Sequence, residues 1–582
     1  MKRSSLFAVA LTVLLPVAAS AQQATHPPGA AIASGHKLAT EAGLEIIREG
    51  GNAFDAAVAV SSTLGVVEPI SSGLGGGGFF LLHDAATGQD TMIDARETAP
   101  ESASPDKYLD KDGKLDQSKS INGPWSAGIP GLPAALVELA EKHGKLPLKQ
   151  SLAPAIRIAT EGFPVYDRMA RGYAQRAKEM EKYPGTREVY LRGGKPIQTG
   201  EIFKQPELAH TLTLLAEKGR DGFYKGETAK KLLAGVKAAG GQWTAQELAG
   251  YQVKTRAPIQ FDYKGWKITT VPPPSSGGIA LAEMLQIVEG YDLKAMDPAH
   301  RAHLVVEAMR RAYRDRTFFL GDPDFTTIPQ KVLLSKDYAL GLRSTINPDK
   351  ATPSDLLSGN PTPLEDDETT HFSIIDAQGN RVGATQTVNL LYGSGLIPKG
   401  TGVLLNDEMD DFALKPGTPN AFGVMGYEGQ RAQAGQAPLK LDDAHLHGER
   451  RQDHRARHAG RQPHHHHGAA GHPGLRRWAE RAAGRRAAAL PPPVVAGRHR
   501  RRDRHLLAGD DQGAGGDGPQ GRTARRRGCR RSRLQPRLGQ PADGGMGSQD
   551  QHPQRRQRPA QSGRRRGDPD HDDALKIANV VR

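Results

Sequence analysis

The chain has 582 residues, enough for roughly four domains at about 150 residues each and for a sizeable core. Its formal net charge of +14 would suit an anionic partner such as nucleic acid or a membrane surface, but arginine is concentrated beyond residue 440, while acidic and basic residues are mixed before it. The charge therefore belongs to the tail, and no nucleic-acid partner is expected. The one cysteine, Cys529, excludes an internal disulfide and any metal site built on cysteine.

Taken in chain order, the first element is a targeting segment. Lys2 and Arg3 precede an apolar run from Leu6 to Ala18, and Ala19-Ser20-Ala21 reads as a cleavage site. The run is short of the ~20 residues that span a bilayer. Residues 1–21 are thus expected to be a signal peptide cleaved after Ala21, giving a periplasmic or secreted protein without a membrane anchor. Leu38 to Gly50 predicts an amphipathic helix ending at Gly50-Gly51, and Ala53 to Leu64 a second helix. Gly75 to Gly78 lead into Phe79 to Leu82, a buried strand. The glycine run suggests a phosphate cradle, but the Lys-Ser/Thr ending of a P-loop is missing. Two helical patterns fill Pro206 to Ala238. The rigid loop Pro272 to Gly278 precedes a helix from Ile279 to Glu289. Ala299 to Phe319 predicts a long helix carrying Arg310, Arg311, Arg314 and Arg316. Residues 344–368 read as an exposed acidic loop. Two strands follow, Thr370 to Asp376 and Val382 to Val388, joined by a turn at Ala377 to Asn380.

The composition changes at about Leu441. Beyond it there is no Phe or Tyr, and the only isoleucine is Ile577. Such a segment buries too little apolar surface to offset chain entropy, so the tail after about 440 is expected to be disordered. A nucleic-acid arm and a His-rich metal tract (His464 to His467) are the other readings of its composition. We read it instead as a GC-rich gene translated in the wrong frame. Dropping the first base of the codons for Leu441 to Glu449 permits SMTPTFME. The same operation on Arg455 to Gly471 permits VLGTPGGSRIITTVLL, and on Arg486 to Arg500 ARPRFHHQWLPDVI. Each shifted codon leaves few choices, and the strings recur in one frame at separated places.

Glu368-Thr369-Thr370-His371-Phe372-Ser373 joins an acidic loop to a strand that opens on hydroxyls. A threonine freed at a chain N-terminus carries both nucleophile and base, since its hydroxyl attacks and its own α-amine takes the proton. Inside an unbroken chain that amine does not exist, so backbone cleavage before the threonine is required. Taken alone the signal is weak, because Thr is an ordinary strand former.

The segment from Thr369 to Asp376 resembles the start of the small subunit of bacterial γ-glutamyltransferases, in the superfamily of N-terminal-nucleophile hydrolases. Further segments match in order: Gly50 to Val60, Gly75 to Leu81, Asp94 to Pro100, Pro272 to Gly278, Leu320 to Phe325 and Leu404 to Phe412. The resemblance spans about Ala31 to Lys440, and the frame-recovered strings belong to the same family. It implies a four-layer αββα sandwich of the α+β kind, a large subunit of residues 22–368, and a small subunit that starts with 369–440 and runs into the frameshifted 441–582. It implies self-cleavage between Glu368 and Thr369, with Thr369 as nucleophile and Thr387 hydrogen-bonded to it. Arg96 is implied to pair with the substrate α-carboxylate, a task suited to guanidinium. Asn389, Glu408 and Asp411 are implied to hold the α-amino group, and Phe422 to lie on a lid. No cofactor or metal is implied.

The implied reaction is double displacement, in which glutathione or a related γ-glutamyl compound gives a γ-glutamyl ester on Thr369. That ester then passes to water, an amino acid or a dipeptide. Read from the residues alone, alternatives stay open: Arg96 as a surface ion pair, Glu408 and Asp411 as a solvated loop, Thr387 as strand packing, Thr370 as the nucleophile. Two other functions also stand, a related acylase acting on glutaryl β-lactams, and an exported protein left uncleaved and inactive by loss of the TPGGSR-like turn. In the chain as written Ala459-Gly460-Arg461 stand where that turn supplies oxyanion donors in the family, and losing even one such donor costs about 10²–10³ in rate.

Overall fold

The computed structural model describes residues 29–357 and 369–439, with residue 27 and the backbone of residues 445–446 besides. The expected signal peptide, Glu368 and the rest of the tail lie outside the described residues.

Local chemistry sets the first elements. Strand β1 (Ala31–Ala33) leads into helix α1 (Lys37–Arg48), and α2 (Ala53–Val67) follows after Gly50 and Gly51. Asn52 caps α2 by accepting from the Phe54 and Asp55 N–H groups, while the Asp55 carboxylate accepts from the Asn52 N–H, a reciprocal capping box. All fifteen residues of α2 are buried, which its Ala- and Val-rich sequence permits. Strands β2 (Gly77–Asp84) and β3 (Gln89–Ala95) form a hairpin, followed by helices α3 (Leu132–Lys142), α4 (Leu148–Glu161) and α5 (Pro206–Lys218) among shorter pieces. Then come β4 (Lys254–Arg256), β5 (Ile259–Tyr263), β6 (Trp266–Thr270), α6 (Gly277–Val288) and α7 (Pro298–Phe319). Residues 344–357 are mostly exposed, as expected. Beyond them β7 (Thr370–Ile375) and β8 (Arg381–Thr387) form the second hairpin, and β9 (His445–Leu446) closes the described chain.

The main sheet has six strands in the order β1-β7-β8-β2-β3-β4, all paired antiparallel. Strand alternation divides its side chains between two cores. Phe80, Leu82, Phe372, Ile374, Val382 and Ala384 pack with α2, α3 and α4. Phe79, Leu81 and Met92 face the other way and meet Val271, just beyond β6. The second sheet, β9-β6-β5, buries Ile259, Phe261 and Tyr263 against α6 and α7. The layers run helix, sheet, sheet, helix, as the resemblance implied. Inside the segment expected to be disordered, the backbone of His445 and Leu446 pairs antiparallel with Thr270 and Thr269. A strand with an open edge offers its backbone N–H and C=O groups to any extended segment, whatever its side chains.

Asp376 at the end of β7 ties the layers together. Its Oδ2 accepts from the Ala53 N–H at 3.0 Å, placing a carboxylate at the positive end of α2. The same side chain accepts from Gln378 and Asn380 in the β7–β8 turn.

Candidate active site

The β-ladder builds the site. Thr370 pairs with Gln386, Gln386 with Gly78, and Gly78 with Ala95. One residue further along, Thr387 pairs with Gly77, while Thr369 immediately precedes β7 and Arg96 immediately follows β3. Thr369 Oγ1 donates to Thr387 Oγ1 at 3.2 Å. Thr387 Oγ1 also accepts from the Asn389 N–H at 2.9 Å, so its position is fixed from two sides. Thr370 alternates to the opposite face, where its hydroxyl bonds the buried Glu68 carboxylate. Burial raises the Glu68 pKa, partly offset by the Thr370 bond and by Arg168.

Arg96 is buried, 1% exposed, and is no surface ion pair. Its Nη2 donates to Glu408 Oε2 at 2.5 Å and its Nη1 lies 3.3 Å from Glu97 Oε2. The guanidinium stands 5.7 Å over the Phe79 ring, a cation–π contact. Glu408 is likewise buried and is no solvated loop residue. Its backbone N–H reaches Asn406 Oδ1 at 3.1 Å, and Asn406 Nδ2 donates to the Gly75 and Gly128 carbonyls at 2.7 and 2.9 Å. Asn406 lies inside the Leu404-to-Phe412 motif, yet its role as the staple between that loop and the glycine run escaped the sequence reading. Asn389 holds a positive φ of 80°, a conformation Asn tolerates better than most residues. Its Nδ2 donates to the Asp407 carbonyl at 3.0 Å. Burial pushes the Asp407 carboxyl well above its ordinary range.

Phe422, expected on a lid, lies in a loop closed by the bridge between Pro419 and Met425. Two adjacent acids hold that loop. Asp410 Oδ2 accepts from the Ala421 N–H at 2.6 Å, and Asp411 Oδ1 from Asn420 Nδ2 at 3.3 Å. The glycine run is explained by close packing. A Cβ on Gly75 would lie 2.0 Å from the Leu404 carbonyl oxygen, and one on Gly76 2.0 Å from that of Thr387. Among the described residues, contacts join Thr369 with Thr387 and Asn389, Arg96 with Glu408, and Asp411 with the loop that carries Phe422. No group of three or more potential metal ligands occurs among them.

The four-layer fold with a threonine pair opening the central hairpin defines an N-terminal-nucleophile hydrolase. The chain belongs to the γ-glutamyltranspeptidase family, whose model matches residues 39–440, and whose members catalyse γ-glutamyl transfer and hydrolysis. It is 41% identical over 439 residues to the glutathione hydrolase proenzyme of Pseudomonas sp. (strain A14), covering 75% of this chain and 76% of that one. The γ-glutamyltranspeptidase of Helicobacter pylori is similar in structure, with a TM-score of 0.54 and 38% identity over 56% of this chain and 93% of that one. A cephalosporin acylase from Bacillus halodurans superposes with a TM-score of 0.64 at 28% identity, covering 76% and 79%. No helix among the described residues is long and apolar enough to cross a membrane.

Proposed function

We propose that Thr369, once freed by cleavage after Glu368, attacks the γ-carbonyl of glutathione or a related γ-glutamyl amide. Its own α-amine takes the hydroxyl proton, and Thr387 orients the hydroxyl. The γ-glutamyl ester on Thr369 then passes to water or to an acceptor amino acid or dipeptide. Large and small subunits of one precursor stay together as the working enzyme, exported through the cleaved segment 1–21. The single observation that carries this reading is Thr369 Oγ1 donating to Thr387 Oγ1, at the end of the main sheet where Arg96 follows β3. Thr369 and a buried guanidinium thus lie at the same end of one sheet.

The charge arrangement favours an α-amino acid head group over a glutaryl one. Arg96 and Glu408 are a buried ion pair, and a zwitterion carries the same two charges. The ligand carboxylate takes the place of Glu408 on Arg96, while its ammonium goes to Glu408, Asp411 and the Asn389 side chain. A glutaryl acylase substrate has no ammonium for these acceptors.

We further propose that the chain is frameshifted from about Leu441. The family match ends at residue 440, at the composition change. The chain as written then lacks the TPGGSR-like turn and stays uncleaved with little or no activity. Resequencing the gene across the codons for Leu439 to Ala444 tests this. A base that repeat reads remove restores the small subunit, and the corrected gene should yield a subunit beginning Thr-Thr-His-Phe-Ser that hydrolyses a chromogenic γ-glutamyl anilide. Cleaved, active enzyme purified from the present sequence would refute the reading that this chain is uncleaved and inactive.

A further inference from the structure

Asp407 is a buried acid that the mechanism above does not use. It is 0% exposed, and its Oδ2 has no hydrogen-bond partner among the described residues. Burial raises its pKa well above the ordinary carboxyl range. Arg176, on the helix Asp167–Met180, and the bond from the Leu390 N–H oppose that shift, while Glu408 and Asp410 add to it. The neutral carboxyl that burial favours has the shape of an asparagine side chain and, like it, offers a carbonyl oxygen.

The rest of Asp407 is turned to one short stretch, residues 388–390, just beyond β8. Its N–H donates to the Val388 carbonyl at 3.1 Å, its carbonyl accepts from Asn389 Nδ2 at 3.0 Å, and its Oδ1 accepts from the Leu390 N–H at 3.0 Å. Three bonds to three consecutive residues fix how that stretch runs. The stretch needs fixing, because Asn389 holds a φ of 80°. Residues with a side chain populate that region sparsely, and it persists only where the surroundings over-determine it. The nucleophile's partner depends on this turn. The Asn389 N–H donates to Thr387 Oγ1 at 2.9 Å, the same oxygen that accepts from Thr369. The Asn389 Nδ2 bond also orients the amide, turning its Oδ1, an acceptor suited to an ammonium, away from the Asp407 carbonyl.

We infer that Asp407 is a positioning residue for the reaction. Its side chain holds the 388–390 turn in the conformation that sets the Asn389 N–H on Thr387 Oγ1, and so fixes the hydroxyl that orients Thr369. It acts through Asn389 and Thr387, not on the reacting atoms. Its chain neighbours divide the same task. Asn406 Nδ2 donates to the Gly75 and Gly128 carbonyls, and Glu408 accepts from Arg96. Three consecutive residues thus tie one loop to the glycine run, to the 388–390 turn and to Arg96. The step from this clamp to turnover rests on the assignment of Thr369 proposed above, whereas the clamp itself does not.

The test has two arms. In the full chain as it stands, hydrogen exchange of a peptide covering residues 388–392 reads the clamp. Asp407→Ala should lower its protection at least about tenfold, the effect of losing one buried hydrogen bond. Asp407→Asn keeps the acceptor and should match the parent. Equal protection in all three chains overturns the inference. In the frame-corrected enzyme, Asp407→Ala should lower kcat for a γ-glutamyl anilide about 100-fold, and Asp407→Asn should stay near the parent. Because the effect passes through Thr387, Asp407→Ala combined with Thr387→Ala should be no slower than Thr387→Ala alone. Losses that simply add, or an asparagine variant as slow as the alanine one, overturn the positioning role. If Asp407→Ala fails to fold, Asp407→Leu, similar in volume and without an acceptor, carries the same comparisons. A frame-corrected parent without activity removes the Thr369 reading, and the exchange arm then decides the clamp by itself.

Discussion

The Arg96 guanidinium and the Glu408 carboxylate meet at 2.5 Å, both fully buried. They come from distant stretches, one ending β3 and the other in a loop held by Asn406. Removing Arg96 leaves Glu97 and Glu408 buried without their counter-ion. Arg96→Met should therefore cost about 3–5 kcal/mol of stability, measured by denaturant unfolding. Arg96→Met combined with Glu408→Gln should recover part of that loss. A double variant no more stable than the single one would show that the pair is not the unit that matters.

Thr387 has two bonds on one oxygen, from Thr369 and from the Asn389 N–H. In the proposed mechanism it acts by orientation, and misplacing a nucleophile by about 1 Å costs about 100-fold. In the frame-corrected enzyme, Thr387→Ala should lower kcat for a γ-glutamyl anilide by about that factor, while Thr387→Ser stays near the parent. Thr369→Ala should leave a single uncleaved band on a gel. Equal rates for the alanine and serine variants would show that the hydroxyl is not what positions Thr369.

Glu283 on α6 is fully buried with neither carboxylate oxygen hydrogen-bonded. Burial, reinforced by Asp315 and opposed by Arg314, holds its pKa well above 4.5. The sign follows from proton counting. Above the unfolded pKa of about 4.3 the unfolded chain has lost this proton and the folded chain keeps it. The stabilisation that Glu283 contributes in acid is therefore lost as pH rises towards the folded pKa, at about 1.4 kcal/mol per pH unit. Glu283→Gln removes the titration, so the variant should gain on the parent with that slope from pH 5 upward. Denaturant unfolding of both chains at several pH values checks this, and parallel curves would show that Glu283 does not titrate differently on folding.

Much of this architecture was legible because periodicity acts locally. The α2 helix follows from its apolar, Ala- and Val-rich run, and the β7–β8 hairpin from strict alternation around a turn. Thr369 was found through resemblance and not through spacing, since a threonine opening a strand has no local mark of reactivity. Asn406 and Asp376 were missed as individual residues because they bond remote partners, and Glu97 because its pairing with the neighbouring Arg96 gains weight only once both are buried. Asp376 bonds Ala53 across 323 positions, and no periodic pattern records such a contact. Arg316 was visible as one of five arginines on a long helix, but only packing shows that, of the two that are buried, Arg311 pairs with Glu307 while Arg316 has no carboxylate in ion-pair distance among the described residues. The strand at His445–Leu446 was missed because pairing there uses backbone groups, which composition does not report.

The glycine run gives a last prediction. If Gly76 cradled a phosphate, Gly76→Ala would weaken an anion and leave the fold alone. The geometry says otherwise, because the new Cβ would meet the Thr387 carbonyl oxygen at 2.0 Å and the Val388 side chain at 3.0 Å. Overpacking of this kind costs about 1–3 kcal/mol, occasionally more, and here it also pushes on the strand end that bears Thr387. Gly76→Ala should lower the unfolding midpoint and, in the frame-corrected enzyme, reduce self-cleavage together with turnover. Gly88→Ala is the contrast: Gly88 has open space around its Cβ position and a φ of +69°. Its strain is confined to the β2–β3 turn, so it should cost about 1 kcal/mol with cleavage unchanged. Unfolding curves and gels of the two variants decide the point, and a Gly76→Ala chain as stable as the parent would remove the close-packing explanation.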